Sequence, residues 1–348
     1  MPRQIHQQHC SSHFIEYIER EIPYSKFFKN YLISNQPCMF SKKFTEAWNC
    51  RKKLDETPVP VANCNAKEYN SNPKQIMPFK EFIQNFPEHN TYKTPIYFSS
   101  DWLNEYWDTI EVDDYRFVYM GPKGWSANIC GRKKWLLYPP GQEEFLRDCH
   151  GNLAYDVTAP VLQDKGLYPQ FEEACQPLEI IQEAGEIIFV PSGWHHQEDT
   201  ISINHNWLNG CNLDIMWQFL QEELSSVQRE IEEWRDTMDS WHQHCQVIMK
   251  SCTGINYGEF ASFLKTIANN RMSFLNSCPR NADNCQDSLA ESLLALGPQH
   301  AAFDLQRVLH IFENMLSNED FKRLDPSALS FKPEELLQEI REAVRTIV

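Results

Sequence analysis

Apolar and polar positions change period along the chain, and the changes divide it. From Asn212 onward apolar residues recur at three- and four-residue steps: Ile215, Phe219, Leu220, Leu224, Val227, Ile231, Trp234 and Met238. Such steps lay one stripe along a helix, so the pattern predicts a long amphipathic helix with a break near Asp239. Further helices are expected over 257–275, 287–296, 300–316 and 333–347, the last with Pro333 at its first position before Glu334 and Glu335. Upstream the runs are short and rich in aromatic and β-branched residues. Glu186–Val190 and Thr200–Trp207 read as two strands of a hairpin, turned at Pro191-Ser192-Gly193, with Trp194-His195-His196 at its rim. Along the second strand Ile201, Ile203 and Trp207 share one face and Ser202, Asn204 and Asn206 the other. Trp125–Cys130 and Lys134–Tyr138 flank Gly131-Arg132 as a further hairpin, after a strand over 116–120.

The first hundred residues mix signals. Phe14, Ile15, Tyr17 and Ile18 suggest a helix ended by Pro23, and Phe27, Phe28, Tyr31 and Leu32 a second one, before a strand around Cys38–Phe40. A short strand is expected over 58–64, a turn over 69–73, a helix starting near Pro78 and a strand over 95–100, with Asp101 capping the aromatic-rich segment beyond it. Gly141–Arg147 suits one or two helical turns, and residues 150–180 read as loop.

Composition narrows the class. With 42% hydrophobic and 13% aromatic residues over 348 positions, the chain can bury a substantial core. The net charge of −16 argues against a general nucleic-acid or anionic-membrane binder. The opening MPRQIHQQHCSSHF has no apolar signal region, and no run long enough to span a membrane occurs. Twelve cysteines are scattered with no CxxC pair, as expected for reduced thiols in cytosol or nucleus; a cytoplasmic protein is expected.

Candidate chemistry gathers at the two predicted hairpins: His196 at a strand rim, Lys133 at the head of a strand, and Asn206 on a polar strand face. A lysine directed into a barrel calls for an anion, most naturally a carboxylate. By itself, the cluster Arg132-Lys133-Lys134 also suits a solvated turn.

Pro191-Ser192-Gly193-Trp194-His195-His196, Ile203-Asn204-His205-Asn206-Trp207 and Gly131-Arg132-Lys133-Lys134-Trp135-Leu136-Leu137-Tyr138-Pro139-Pro140 together resemble the JmjC family of Fe(II)/2-oxoglutarate oxygenases. Tyr97–Asn104, Val59–Cys64 and Trp234–Ile248 extend the resemblance over nearly the whole chain, toward members that hydroxylate a lysine of the translation termination factor eRF1. The resemblance implies a mainly β core, a double-stranded β-helix or jelly roll, with a C-terminal helical region. It divides the chain into an N-terminal lead-in of helices and strands (1–94), a JmjC core (95–211) and C-terminal helices (212–348). It further implies Fe(II), 2-oxoglutarate and O2, with ascorbate as reductant, and eRF1 as protein partner. Neither nucleic acid nor membrane is expected as a direct partner. By position His196 matches the family's distal iron ligand, Lys133 the lysine that meets the far carboxylate of 2-oxoglutarate, and Asn206 a polar contact near the site.

One departure stands out. A site of this kind uses two histidines and a carboxylate, and the family carries the first two ligands as His-x-Asp or His-x-Glu on a strand after the Gly-Pro turn. Here Gly121-Pro122-Lys123-Gly124 runs straight into Trp125-Ser126, and the chain's only His-x-Glu is His196-Gln197-Glu198. Several in-frame losses and impaired turnover are therefore expected. The alternatives are a non-catalytic binding module that keeps its partner, and a cupin-like binder of a small molecule.

Overall fold

The computed structural model describes residues 15–48, 51, 61–62, 74–75, 94–110, 123–129, 131–197, 202–277 and 296–347. The turn expected over 69–73, the helix near Pro78 and the strand over 116–120 lie outside them, as does nearly all of the helix expected over 287–296. The chain forms two compact units: Met1–Pro23, Ser34–Thr94 and Gly124–His205 make one, and Tyr24–Ile33, Pro95–Lys123 and Asn206–Val348 the other.

The first unit is built on β1 (Glu16–Ile18), β2 (Cys38–Phe40), β3 (Val61–Ala62), β4 (Lys74–Gln75), β5 (Lys123–Asn128), β6 (Arg132–Tyr138), β7 (Leu178–Glu183), β8 (Ile187–Val190), β9 (His195–Gln197) and β10 (Ser202–Trp207). A five-stranded sheet runs β1-β2-β8-β5-β10, a three-stranded one β7-β6-β9, and β3-β4 form a small ribbon. Met39, Ile188 and Val190 of the larger sheet share one buried cluster with Trp135, Leu137 and Ile180 of the smaller, which stacks the two face to face. β8, flanked by β2 and β5, is buried at all four positions, which is why its sequence is apolar without alternation.

Both expected hairpins are corrected. β5 and β6 flank Gly131, whose φ of +77° suits glycine, yet they enter different sheets. Likewise β8 and β10 belong to the larger sheet, while His195 and His196 sit in a short strand of the smaller one between them. From β7 to β10 consecutive strands alternate between the two sheets, as in a jelly roll. Two-residue periodicity marks a strand; it carries no information on which sheet the strand joins.

Two other expectations fail for the same reason. Glu16–Ile18 is a strand rather than a helix, paired in parallel with β2 through Glu16↔Cys38, Tyr17↔Met39 and Ile18↔Phe40. Long-range pairing overrides the local apolar spacing here. β7 lies in what reads as loop, because Pro177 and the polar positions Glu179, Gln182 and Glu183 disguise its pairing with six residues of β6.

The second unit is helical: α1 (Tyr24–Phe27), α2 (Trp102–Thr109), α3 (Leu213–Glu230), α4 (Trp241–Thr253), α5 (Tyr257–Ser277), α6 (Pro298–Ser317), α7 (Glu319–Lys322) and α8 (Pro333–Ile347). Its core joins Leu220 and Leu224 of α3 with Met249, Phe260, Leu264, Leu305, Phe312 and Ile340. The stripe is interrupted earlier than expected. α3 ends at Ile231, whose carbonyl takes the Trp241 indole N–H at 3.0 Å, and Trp234 is left 53% exposed. Residues 95–100 are a 3-10 turn, Ile96–Phe98, and not a strand. That turn packs Tyr97 and Phe98 on Phe27, with ring centroids 4.7 and 5.9 Å away. Asp101 caps α2 as expected, accepting the Asn104 N–H at 3.2 Å. Among the described residues no helix is long and apolar enough to cross a membrane.

Candidate functional site

Alternation along β6 sorts its basic residues. Arg132 and Lys134 point out of the sandwich and pair with Glu183 at 2.7 Å and Glu179 at 2.9 Å on the surface of β7. Lys133 points the other way and is fully buried. Its ammonium spans the sandwich to donate to the Ser126 hydroxyl on β5 at 3.0 Å, and lies 4.2 Å from the centre of the Trp135 ring.

Two residues that the sequence pattern does not single out complete this polar interior. Gln182 of β7, opposite Lys133 in register, is fully buried. It accepts the Trp135 indole N–H at 2.8 Å and donates to the carbonyls of Ser126 and Glu186, each at 2.8 Å. Asn128 of β5 donates to the carbonyls of Gly131 and Gln182, both at 3.1 Å. Ser126 and Gln182 therefore hold the buried ammonium and its indole neighbour in one geometry. The parity of Ile180 and Gln182 would have exposed this role, had β7 been legible as a strand.

The backbone locates the remaining candidates. β6 pairs with β9 so that Leu137 faces His196, four residues along β6 from Lys133. Asn206 lies in β10, next to β5 in the larger sheet, and belongs to the second unit. For these two residues the strand position is the extent of the description.

Chemically, a buried ammonium beside a hydroxyl and an indole face can receive a carboxylate. An iron centre is another matter. Among the described residues no three His, Cys, Asp or Glu side chains gather to hold a metal ion. From Tyr115 through Arg132, the stretch leading into β5 and β6, the sequence contains no histidine and no carboxylate. The described residues do not fit a facial set of two histidines and a carboxylate.

The fold and the buried lysine define a cupin-like barrel, and residues 121–212 match the cupin-like domain family. The relatives are more specific. A zebrafish (Danio rerio) protein named 2-oxoglutarate and iron-dependent oxygenase JMJD4 is 79% identical over 408 positions, spanning 100% of this chain and 97% of its own length. Proteins of the same name from chicken (Gallus gallus) and human (Homo sapiens) are 52% and 48% identical, over 96% and 92% of this chain and 92% and 89% of theirs. The chain belongs to this family of 2-oxoglutarate and iron-dependent oxygenases.

Proposed function

We propose that this chain serves the branch of its family directed at the translation termination factor eRF1, with 2-oxoglutarate as co-substrate and a lysine of eRF1 as the hydroxylation target. The observation that carries the co-substrate part is Lys133: fully buried, braced by Ser126 and placed against Trp135, where it can meet the far carboxylate of 2-oxoglutarate. His196 lies on the strand beside that of Lys133, and its role toward iron, like that of Asn206 as a polar contact, rests on the resemblance. The eRF1 part rests on the resemblance along the chain, and with it goes a cytoplasmic location. O2 as oxidant and ascorbate as reductant complete the proposed set. No nucleic acid or membrane contact is needed.

A second reading is favoured by the ligand count: a non-catalytic module that keeps the partner and loses turnover. Both readings require eRF1 binding. Immobilised eRF1 should capture the chain from solution with a saturable isotherm, and mass spectrometry of the recovered eRF1 would report a gain of about 16 Da on lysine, one oxygen atom, wherever turnover survives. Absence of saturable binding would overturn the partner assignment. Loss of 2-oxoglutarate binding in Lys133→Met, followed by calorimetry, is the expected co-substrate result; unchanged affinity would remove Lys133 from the site.

A further inference from the structure

We infer that this chain omits, relative to its relatives, internal sequence of about 60 residues, and that it is consequently a form that does not retain iron. Three observations converge. The first is length. The zebrafish match runs over 408 positions, 60 more than the 348 residues of this chain, although it covers the whole chain. The chicken and human matches run over 393 and 381 positions while covering 96% and 92% of this chain, an excess again of about 60. An equal excess against relatives of such different identity lies in this chain and not in any one of them. It is internal, because it falls inside the matched span.

The second observation is the sheet. A jelly roll closes eight strands into two sheets. Among the described residues the larger sheet has four strands, β2-β8-β5-β10, with β1 added at the edge, and the smaller has three, β7-β6-β9. Among them β6 is paired on both sides and β9, which carries His196, with β6 alone. The third observation is donor chemistry. Lys123 starts β5 of the larger sheet with no preceding strand of the smaller one among the described residues, and Tyr115–Arg132 supplies neither imidazole nor carboxylate. A single histidine from β9 is one protein donor, and labile Fe(II) in oxygenase sites is held by three.

This omission separates two properties that the relatives combine. The surroundings of Lys133 are built from β5, β6 and β7, all present, so the anion-meeting end of the proposed site survives. The metal end does not.

The test compares this chain with one in which the zebrafish relative's additional residues are restored at the positions where that relative carries them. Both are loaded anaerobically with Fe(II), desalted, and measured for iron per chain by mass spectrometry, with circular dichroism reporting folding. Background iron in this chain and one iron per restored chain is the expected result. Stoichiometric iron in this chain, or a folded restored chain that takes none, overturns the inference. Should the restored chain fail to fold, His196→Ala in the present chain decides: iron content unchanged by the substitution supports the inference, and a loss of bound iron refutes it. The readout does not involve eRF1, so failure to bind eRF1 would count against the proposed partner and leave the iron result standing.

Discussion

Lys133 and Lys134 are neighbours with opposite fates, and the contrast gives the sharpest test at the residue scale. Lys133→Ala should weaken 2-oxoglutarate binding by on the order of 1.5–3 kcal/mol, the range for charge-assisted hydrogen bonds. Lys134→Ala removes only a surface pair with Glu179 and should leave affinity unchanged. Equal losses by calorimetry would refute the assignment. The alternation that separates these two lysines was legible in the sequence; the hydroxyl and amide around Lys133 were not, because Ser126 meets it from the facing sheet and Gln182 from a strand that read as loop. His300 offers a second residue-scale test. It is buried in the helical unit, 3.3 Å from the Ser100 hydroxyl and 3.5 Å from Asp304, and both contacts use Nε2, so the three cannot act as a relay. Burial lowers its pKa below the ordinary 6.5, against an upward pull from Asp304 and with help from Arg271. The folded state thus binds fewer protons at His300 than the unfolded chain, and stability should fall as pH drops through about 6.5. Urea midpoints for the parent and His300→Gln between neutral pH and pH of about 5 should show the shallower slope in the variant; parallel slopes would exclude the effect.

At the scale of elements, one buried network ties the helical unit together. Arg271 on α5 donates to Glu105 of α2 and to Asp304 of α6, both at 2.7 Å, and Asn270 adds a further bond to Glu105 at 2.7 Å. All three charged side chains are almost fully buried. Removing the cation leaves two buried carboxylates, so Arg271→Met should destabilise the chain by about 3–5 kcal/mol. A denaturant midpoint close to the parent's would show that the network relaxes without cost. These helices were the most readable part of the sequence, because α5, α6 and α8 each bury one stripe. The break after α3 was hidden: Ile231 and Trp234 continue the apolar spacing, but the Trp241 indole N–H donates to the Ile231 carbonyl where the chain turns. Among the strands, β6 and β8 announced themselves, whereas β1 and β7 exist through partners far along the chain.

For the whole molecule, the family and its jelly roll are secure, and the central claim concerns what this chain lacks. Its relatives carry about 60 more positions within the same span, and its donor set among the described residues is short. The resemblance could indicate where ligands should stand, and the comparison of lengths shows that internal sequence is absent. The most direct measurement is release of CO2 from C1-labelled 2-oxoglutarate by this chain and by the restored one, each with Fe(II), ascorbate and eRF1. The account predicts release above background from the restored chain alone. Comparable turnover by the two would contradict it and require an iron set drawn from His195, Glu198 and His205.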